Sequence, residues 1–304
     1  MDAVTISNMS QVFEPNLAQI EKMPNFSQNN VPHFLFRIHS SNSAGSADAT
    51  DAGSWVSFRA SGTDEADKAE DIFGLPRHIA AARLNAHMQW QYWNNPQSNL
   101  VSWTASLLYA IQFGLYKFMT SGENVKLSQI YLLALDTKGF TPGTFVQDLE
   151  LLEVFYRHER YADQVKNLEN LRAYRENSNN YPGEYFTQGR LHVRGRRVQT
   201  SLQDLIDHGL FDLNDALKEK DGWLDPLTTL ESLREPFRQD DLVQMTSEPE
   251  IRTAVVIAKS CFGGEWTIPM TLMLLSLRPR GSSHDTLKGA CEVLFKGKYR
   301  RTPD

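Results

Sequence analysis

The stretch Asn99–Phe118, NLVSWTASLLYAIQFGLYKF, decides how the rest of the chain is interpreted. It begins with Leu100 and Val101, which favour a β-strand. From Ala105 onward, apolar residues recur every three or four positions, as they do on one face of a helix. The sequence therefore predicts a strand that ends in hydroxyl groups beside the N-terminus of a buried helix, a place suited to holding an anion or orienting a carboxylate.

The hydroxyl side chains of this stretch leave two interpretations open. Ser102, Thr104 and Ser106 alternate along the join between strand and helix. Ser102 or Thr104 can simply cap the helix, because a side-chain oxygen at the N-cap accepts a hydrogen bond from the first helical turn. The alternative is a functional role at the strand end, and it depends on what other parts of the chain supply.

The composition is that of a globular protein. The 304 residues are 41% hydrophobic and 22% charged, and the net charge of −6 argues against a general binder of nucleic acid or membrane surfaces. The N-terminus lacks the basic start and apolar run of a secretory signal, and no apolar run approaches membrane-spanning length. We therefore expect an intracellular protein, cytoplasmic or nuclear, with no membrane partner.

Cysteine and histidine usage predicts no metal site. Cys261 and Cys291 are too few for a disulfide framework and lie in apolar helical contexts, so we expect free thiols. The eight histidines are scattered, and even His78 and His87 on one predicted helix lack the short spacing of metal ligands. No glycine-rich phosphate loop follows a strand, which excludes a Rossmann or P-loop domain.

Three regions follow one another along the chain. Residues 1–31 are polar and weakly patterned, so we expect a loosely ordered N-terminal arm. Residues 32–200 mix strands and helices, whereas residues 201–304 predict helices only, packed on or near the first domain. The fold class is therefore α+β with an all-helical C-terminal region. The predicted strands are His33–His39, Trp55–Arg59, Gln129–Asp136 and Glu184–Leu191, and the predicted helices are Pro76–Trp93, Asp148–Arg175, Leu202–Leu217, one opened by a capping box at Ser247, Met270–Leu277 and Asp285–Phe295.

Two charged residues are candidates for function. Arg37 is the single charge in an apolar strand, and it needs a partner because an unpaired guanidinium is costly to bury. Glu184 begins a late strand directly after Pro182 and Gly183. Each also has a plain structural interpretation, Arg37 as a strand-edge charge or ion-pair member and Glu184 as a surface carboxylate. A basic cluster is usually a solvated strand face but can also contact phosphate; here it consists of Arg190, Arg194, Arg196 and Arg197.

The order Arg, then Ser-x-Thr, then Glu resembles the mono-ADP-ribosyltransferase fold of the cholera and heat-labile enterotoxin class. It is similar still more closely to a large group of uncharacterised fungal proteins that carry a related domain. In the toxins an Arg ends the first strand, a Ser-Thr-Ser strand precedes a helix, and a Glu lies five residues before a Gly, as Glu184 precedes Gly189. The resemblance covers about residues 33–195 and implies a split β-sheet core with flanking helices over residues 32–200. The matching stretches are LFRIHS around Arg37, WVSFRASG around Arg59, LVSWTASLLYAIQFG around Ser102, IYLLALD, and GEYFTQGRL around Glu184.

The resemblance implies that NAD is a substrate, either for transfer of its ADP-ribose or for hydrolysis. Cleavage of the nicotinamide–ribose bond passes through an oxocarbenium-like state, which a fixed carboxylate stabilises. Glu184 would hold the ribose 2′-hydroxyl, Ser102 would hydrogen-bond Glu184, and Arg37 would pair with the ribose or a phosphate. The catalytic candidates implied in this way are Glu184, Ser102 and Arg37, and the NAD-binding candidates are Arg37, Arg59, Ser102, Thr104 and Tyr185.

Two positions depart from the toxin pattern and keep a second hypothesis open. Two residues before the catalytic Glu the toxins have Glu or Gln, which helps to select the acceptor, whereas this chain has Pro182. Trp103 stands at the centre of the Ser-Thr-Ser place, where its bulk could fill the NAD cleft. The alternative is therefore a catalytically inactive domain of the same fold that binds a protein or a nucleotide. For an active enzyme, the acceptor stays open between a protein residue and a nucleic acid.

Overall fold

The computed structural model describes residues 10–40, 43, 47–49, 55–59, 70–89, 99–121, 125–159, 167–176, 181–193, 195–238 and 246–278. For residues 47–49 and 55–59, and for residue 227, it describes the backbone alone. The predicted helix Asp285–Phe295, together with Cys291 and Arg194, lies outside the described residues.

The chain divides into two compact units. Unit 1 comprises Met1–Arg37, Asn42–Ala105 and Ala134–Arg197, and unit 2 comprises Ile38–Ser41, Ser106–Leu133 and Val198–Asp304. Unit 2 therefore groups a middle segment of the chain with the helical C-terminal region, whereas the sequence divided the chain into contiguous regions.

The described elements mix strands and helices up to the end of β9, after which only helical elements follow. The strands are β1 (Phe34–His39), β2 (Ala47–Ala49), β3 (Trp55–Arg59), β4 (Leu100–Thr104), β5 (Tyr131–Asp136), β6 (Val146–Gln147), β7 (Glu184–Gln188), β8 (Arg190–His192) and β9 (Arg197–Ser201). The α-helices are α1 (Leu17–Ile20), α2 (Pro24–Ser27), α3 (Arg77–Met88), α4 (Leu107–Thr120), α5 (Asp148–Phe155), α6 (Leu168–Glu176), α7 (Leu202–Asp207), α8 (Leu210–Leu213), α9 (Pro226–Arg234), α10 (Glu248–Ile257) and α11 (Thr267–Leu275).

The strands form a six-stranded sheet in the order β6-β7-β4-β1-β5-β9 and a three-stranded sheet in the order β2-β3-β8. The predicted α+β class is confirmed, while the closer split-core architecture stays a prediction. Strand β4 is antiparallel to β7, from Leu100 opposite Gln188 to Thr104 opposite Glu184. Because paired residues share a face and successive residues alternate, one face of the sheet carries Ser102, Thr104 and Glu184, and the other carries Trp103 and Tyr185.

The core of unit 1 packs helices α3 and α5 onto the sheet face that carries Ser102 and Glu184. Leu100 and Phe186 contribute to this core from the sheet. The N-terminal segment contributes as well, since Phe13 and Met23 are buried in the same cluster. In the described part of the N-terminal arm, residues 10–31, Phe13 and Met23 are therefore packed into the core, where their side chains leave water, whereas Leu17 is exposed.

The join between β4 and α4 differs from the expected capping. Neither Ser102 nor Thr104 caps the helix, because both lie within the strand. The cap is Ser106, whose side chain accepts a hydrogen bond from the Tyr109 N–H at 3.2 Å.

Two predicted helices are each divided into two. The segment Asp148–Arg175 forms α5 and α6, with a turn of 3₁₀-helix at Tyr156–His158 ending the first. The segment Leu202–Leu217 breaks at Gly209, whose φ of 104° is a left-handed conformation that glycine adopts without strain. The capping box at Ser247 is confirmed, with Ser247 N–H donating to Glu250 Oε2 at 2.8 Å.

Candidate functional site

Ser102, in the middle of β4, joins two other polar side chains of unit 1. Its Oγ shares a hydrogen bond of 2.9 Å with Nε2 of His87 on α3. Its backbone carbonyl accepts a hydrogen bond of 2.6 Å from Nη1 of Arg37 on β1. The guanidinium predicted to need a partner therefore has one at the strand that carries the candidate serine.

His87 lies in the last turn of α3 and is almost completely buried, with its ring edge-to-face on Phe186 at 5.2 Å. Burial lowers the pKa of His87 to about 4; the negative charge of Glu184 raises it, and the positive charges of Arg37 and Arg175 lower it further. The imidazole is therefore neutral at pH 7. Arg37, Glu184 and Arg175 therefore all act electrostatically on this one ring.

Glu184, the first residue of β7, lies opposite Thr104 and is 13% exposed. Its Oε2 accepts a hydrogen bond from Nη1 of Arg175, and within the described residues no group donates to its Oε1. The expected hydrogen bond between Ser102 and Glu184 was wrong for this structure, because Ser102 is held by His87 and Glu184 by Arg175.

Arg175, on α6, joins Glu184 to a second carboxylate. The same Nη1 also bonds to Asp148 Oδ2, and Asp148 is completely buried at the start of α5. Oδ1 of Asp148 accepts a hydrogen bond of 2.6 Å from the Tyr181 hydroxyl, which in turn accepts one of 2.8 Å from Gln147 Nε2. We call Glu184, Arg175, Asp148 and Tyr181 the Glu184 cluster.

The pKa values within the Glu184 cluster follow from burial and from these pairings. Burial raises the pKa of Asp148 to about 6, against the lowering effect of the Arg175 charge. Burial alone would lower the pKa of Arg175, but Glu184 and Asp148 outweigh it and hold that pKa above its usual range. Burial and the nearby Asp148 charge raise the pKa of Tyr181. At neutral pH Arg175 is therefore a permanent cation between two acids, and Tyr181 is a neutral donor.

Thr104 fixes the loop that precedes Glu184. Its hydroxyl donates to the carbonyl of Pro182, and the next residue, Ala105, donates its N–H to the carbonyl of Gly183 at 2.8 Å. Gly183 has a φ of 66°, a left-handed conformation that favours glycine. The loop is thus held through its backbone, and the side chain of Thr104 is used for this purpose.

Trp103 and Tyr185 lie on the sheet face opposite Ser102 and Glu184. Trp103 is 2% exposed, with Nε1 donating to Thr187 Oγ1 at 3.1 Å and the Arg37 guanidinium carbon 6.0 Å from its ring. Burial raises the pKa of Tyr185 to about 12, so its phenol is neutral. The Trp103 ring therefore does not cover the face that carries Glu184, and Tyr185 does not share that face either.

The remaining predicted residues are only partly described. Arg59 ends β3 with its backbone opposite Arg190, and its side chain lies outside the described part of the chain. Within the basic cluster, Arg196 donates to the carbonyl of Lys138 and lies 4.9 Å from the ring of Phe140. Arg196 therefore has a structural role, and the role of Arg59 in NAD binding stays a prediction.

Cys261 is a half-buried free thiol, and burial raises its pKa. Among the residues that the structure describes, no group of three or more His, Cys, Asp or Glu side chains could hold a metal ion. Over the same residues, no helix is long and apolar enough to cross a membrane.

The fold and site define an α+β domain with a cluster of polar side chains on one face of its main sheet. Residues 30–192, more than half of the chain, match the family model of a domain of unknown function, DUF7587, and the chain belongs to this family. No curated protein and no solved structure matches the chain. The matched span contains Arg37, His87, Ser102, Arg175 and Glu184, so the site lies within the family domain.

Sequence reasoning missed four residues of the site: His87, Asp148, Arg175 and Tyr181. His87 was considered only as a metal ligand. Asp148 and Arg175 stood at the two ends of one predicted helix, where nothing indicated that they meet. The one available signal was the position of Asp148 directly after a short apolar strand, because a charge at such a strand end is often buried and paired.

Proposed function

We propose that this protein is an NAD-dependent enzyme that transfers ADP-ribose from NAD or hydrolyses NAD, with Glu184, Ser102 and Arg37 in its active site. The observation that carries the proposal is the meeting of polar groups at Ser102. Its carbonyl accepts from Arg37 and its Oγ bonds to His87. Glu184 begins the neighbouring strand on the same sheet face as Ser102.

The charges of the site suit the departure of nicotinamide. When the bond between ribose C1′ and the nicotinamide nitrogen breaks, nicotinamide leaves with the electron pair and the ribose becomes cationic. The Glu184 carboxylate stabilises that cation, and water or an acceptor nucleophile then bonds to C1′ and loses a proton. Neutral His87 holds Ser102 without adding a positive charge that would oppose the ribose cation.

The position of Trp103 removes one objection to an NAD site. Bulk at this position was the main reason to expect a filled NAD cleft, yet its ring lies on the sheet face opposite Ser102 and Glu184. Because Phe36 lies opposite Thr104, Arg37 belongs to the Trp103 side of the sheet and reaches the site only through the Ser102 carbonyl. Its planar guanidinium suits bidentate contacts with phosphate, so we assign it the pyrophosphate of NAD.

A second candidate function is a nucleotide-binding domain without catalysis. One observation favours it, because the Oε2 atom of Glu184 is already bound to Arg175. Pro182, two residues before Glu184, also has no side-chain group that could hydrogen-bond an acceptor.

Nicotinamide release from NAD by the purified full chain tests the proposal. We expect release by the native protein and its loss in Glu184→Gln, with Glu153→Gln as a matched control because Glu153 is paired with Arg172 on the α5–α6 surface. If the native protein releases no nicotinamide while a known transferase does so in the same assay, the proposed enzyme activity is contradicted. NAD binding without release would then support the binding domain.

A further inference from the structure

We propose that Arg175 is the positioning residue for Glu184, braced from behind by Asp148, an inference that rests on the proposed function. Arg175 contacts neither ribose nor nicotinamide in this proposal and acts through the carboxylate alone. The contacts of the Glu184 cluster carry the argument.

Glu184 is anchored through one oxygen and open at the other. Nη1 of Arg175 holds Oε2, while Oε1 accepts no hydrogen bond within the described residues. A glutamate side chain has three rotatable bonds, so one fixed oxygen removes most of its freedom without consuming its second oxygen. The free Oε1 is the atom that would meet a ribose hydroxyl.

Asp148 holds Arg175 in place. The aspartate is completely buried, and its two oxygens are both used, Oδ2 by Arg175 and Oδ1 by the Tyr181 hydroxyl. Tyr181 is bonded to Gln147 Nε2 at 2.8 Å, and Gln147 Oε1 accepts from Asn25 Nδ2 at 2.9 Å. This chain of hydrogen bonds runs from α2 to the candidate catalytic carboxylate, and a site built on such supported side chains keeps its geometry.

The charge balance of the cluster shows that Arg175 can position the Glu184 carboxylate without neutralising it. The Glu184 cluster contains two carboxylates and one guanidinium, so its net charge is −1 when Asp148 is ionised. Because Asp148 already offsets the charge of Arg175, Glu184 keeps its negative charge for the ribose cation. With Arg175 alone, and without Asp148, the ion pair would leave no net charge at the site.

Holding two carboxylates at once also requires the guanidinium group of an arginine. One terminal nitrogen bonds to both carboxylates, since the planar group presents two N–H donors at fixed angles on each terminal nitrogen. Lysine would retain the positive charge but not the fixed directions. Charge and direction can therefore be separated by Arg175→Lys.

The experiment measures kcat and KM for nicotinamide release in Arg175→Ala, Arg175→Lys and Asp148→Asn. We expect Arg175→Ala to lower kcat about tenfold to a hundredfold with KM nearly unchanged, because a misplaced catalytic group costs rate and not substrate affinity. Asp148→Asn should cause a smaller loss of the same kind. Added guanidinium ion at millimolar concentration should restore part of the kcat of Arg175→Ala, a rescue that a general structural role would not give.

Arg172→Ala is the matched control. Arg172 lies on the same helix and pairs with Glu153 and Glu176, and not with Glu184. We expect its kcat to equal that of the native protein. Thermal unfolding identifies any variant that does not fold. If Arg175→Ala does not fold, Arg175→Lys provides the test, and we expect its kcat to lie between those of the native protein and a variant without Arg175.

Three results would overturn the inference. If kcat is unchanged in Arg175→Ala and Arg175→Lys while Glu184→Gln is inactive, the proposed enzyme activity holds but Arg175 does not position Glu184. A raised kcat in Arg175→Ala would mean that the ion pair with Arg175 inhibits Glu184 and does not position it for catalysis. No nicotinamide release by the native protein contradicts the proposed function and this inference together.

Discussion

Replacing His87 with Gln should remove a loss of stability that acid imposes on the native protein. Well above pH 6.5 the His87 imidazole is neutral in both the folded and unfolded states and contributes no pH dependence. As the pH falls from 6.5 towards 4, the unfolded imidazole binds a proton first, because the folded pKa is about 4. The free energy of unfolding therefore decreases over this range.

The size of the effect follows from the pKa difference. A fall from 6.5 to about 4 corresponds to about 3 kcal/mol at about 1.4 kcal/mol for each unit. Glutamine is neutral at every pH and keeps a group able to hydrogen-bond Ser102. The native protein should thus lose about 2–3 kcal/mol more than His87→Gln between pH 7.5 and pH 4.5.

Urea unfolding at both pH values, followed by far-UV circular dichroism, measures this difference. Other titrating groups are common to both proteins and cancel in the comparison. His78→Gln, on the same helix, reports what the loss of an imidazole from α3 does by itself. Equal losses in the native protein and His87→Gln would refute the reasoning, because His87 could not then be buried and neutral.

Two other substitutions test the same structure by urea unfolding. Asp148 has the opposite sign, because its folded pKa of about 6 lies above its ordinary 3.8. The contribution of Asp148 to stability therefore grows as the pH falls from 6 to 3.8, and Asp148→Asn should lose more stability than the native protein over this range. The same change of stability in the native protein and the variant would contradict this. Met23→Ala should cost about 2–5 kcal/mol, because Met23 is fully buried in the core of unit 1. Leu17 is 80% exposed, so Leu17→Ala should change the free energy of unfolding by no more than about 0.5 kcal/mol. A similar cost for both substitutions would contradict the packing of Met23 in the core.

The sequence was informative where local pattern decides the structure. The change of period at Ala105 predicted β4 followed by a buried helix, because strand and helix place apolar residues at different intervals. The apolar surroundings of Arg37 predicted that its guanidinium has a partner, and it bonds to the Ser102 carbonyl. The side of the sheet occupied by Trp103 was also open to prediction, since strand alternation separates it from Ser102 and Thr104.

Contacts made between distant segments were not open to prediction in this way. The meeting of His87 with Ser102 depends on where α3 crosses β4, which no spacing within the helix reveals. The bond between Arg175 and Asp148 depends on a break inside an apparently continuous helical pattern. Periodicity reports which face of an element is buried, and it carries no information about which element covers that face.

The loop before Glu184 is tied to β4 through the carbonyl oxygens of Pro182 and Gly183, and not through a side chain at position 182. Any amino acid at that position offers the same carbonyl. Residue 182 can therefore change without displacing the carboxylate two positions later. Under the proposed function, position 182 is thus the place where acceptor preference can be altered while Glu184 stays where it is.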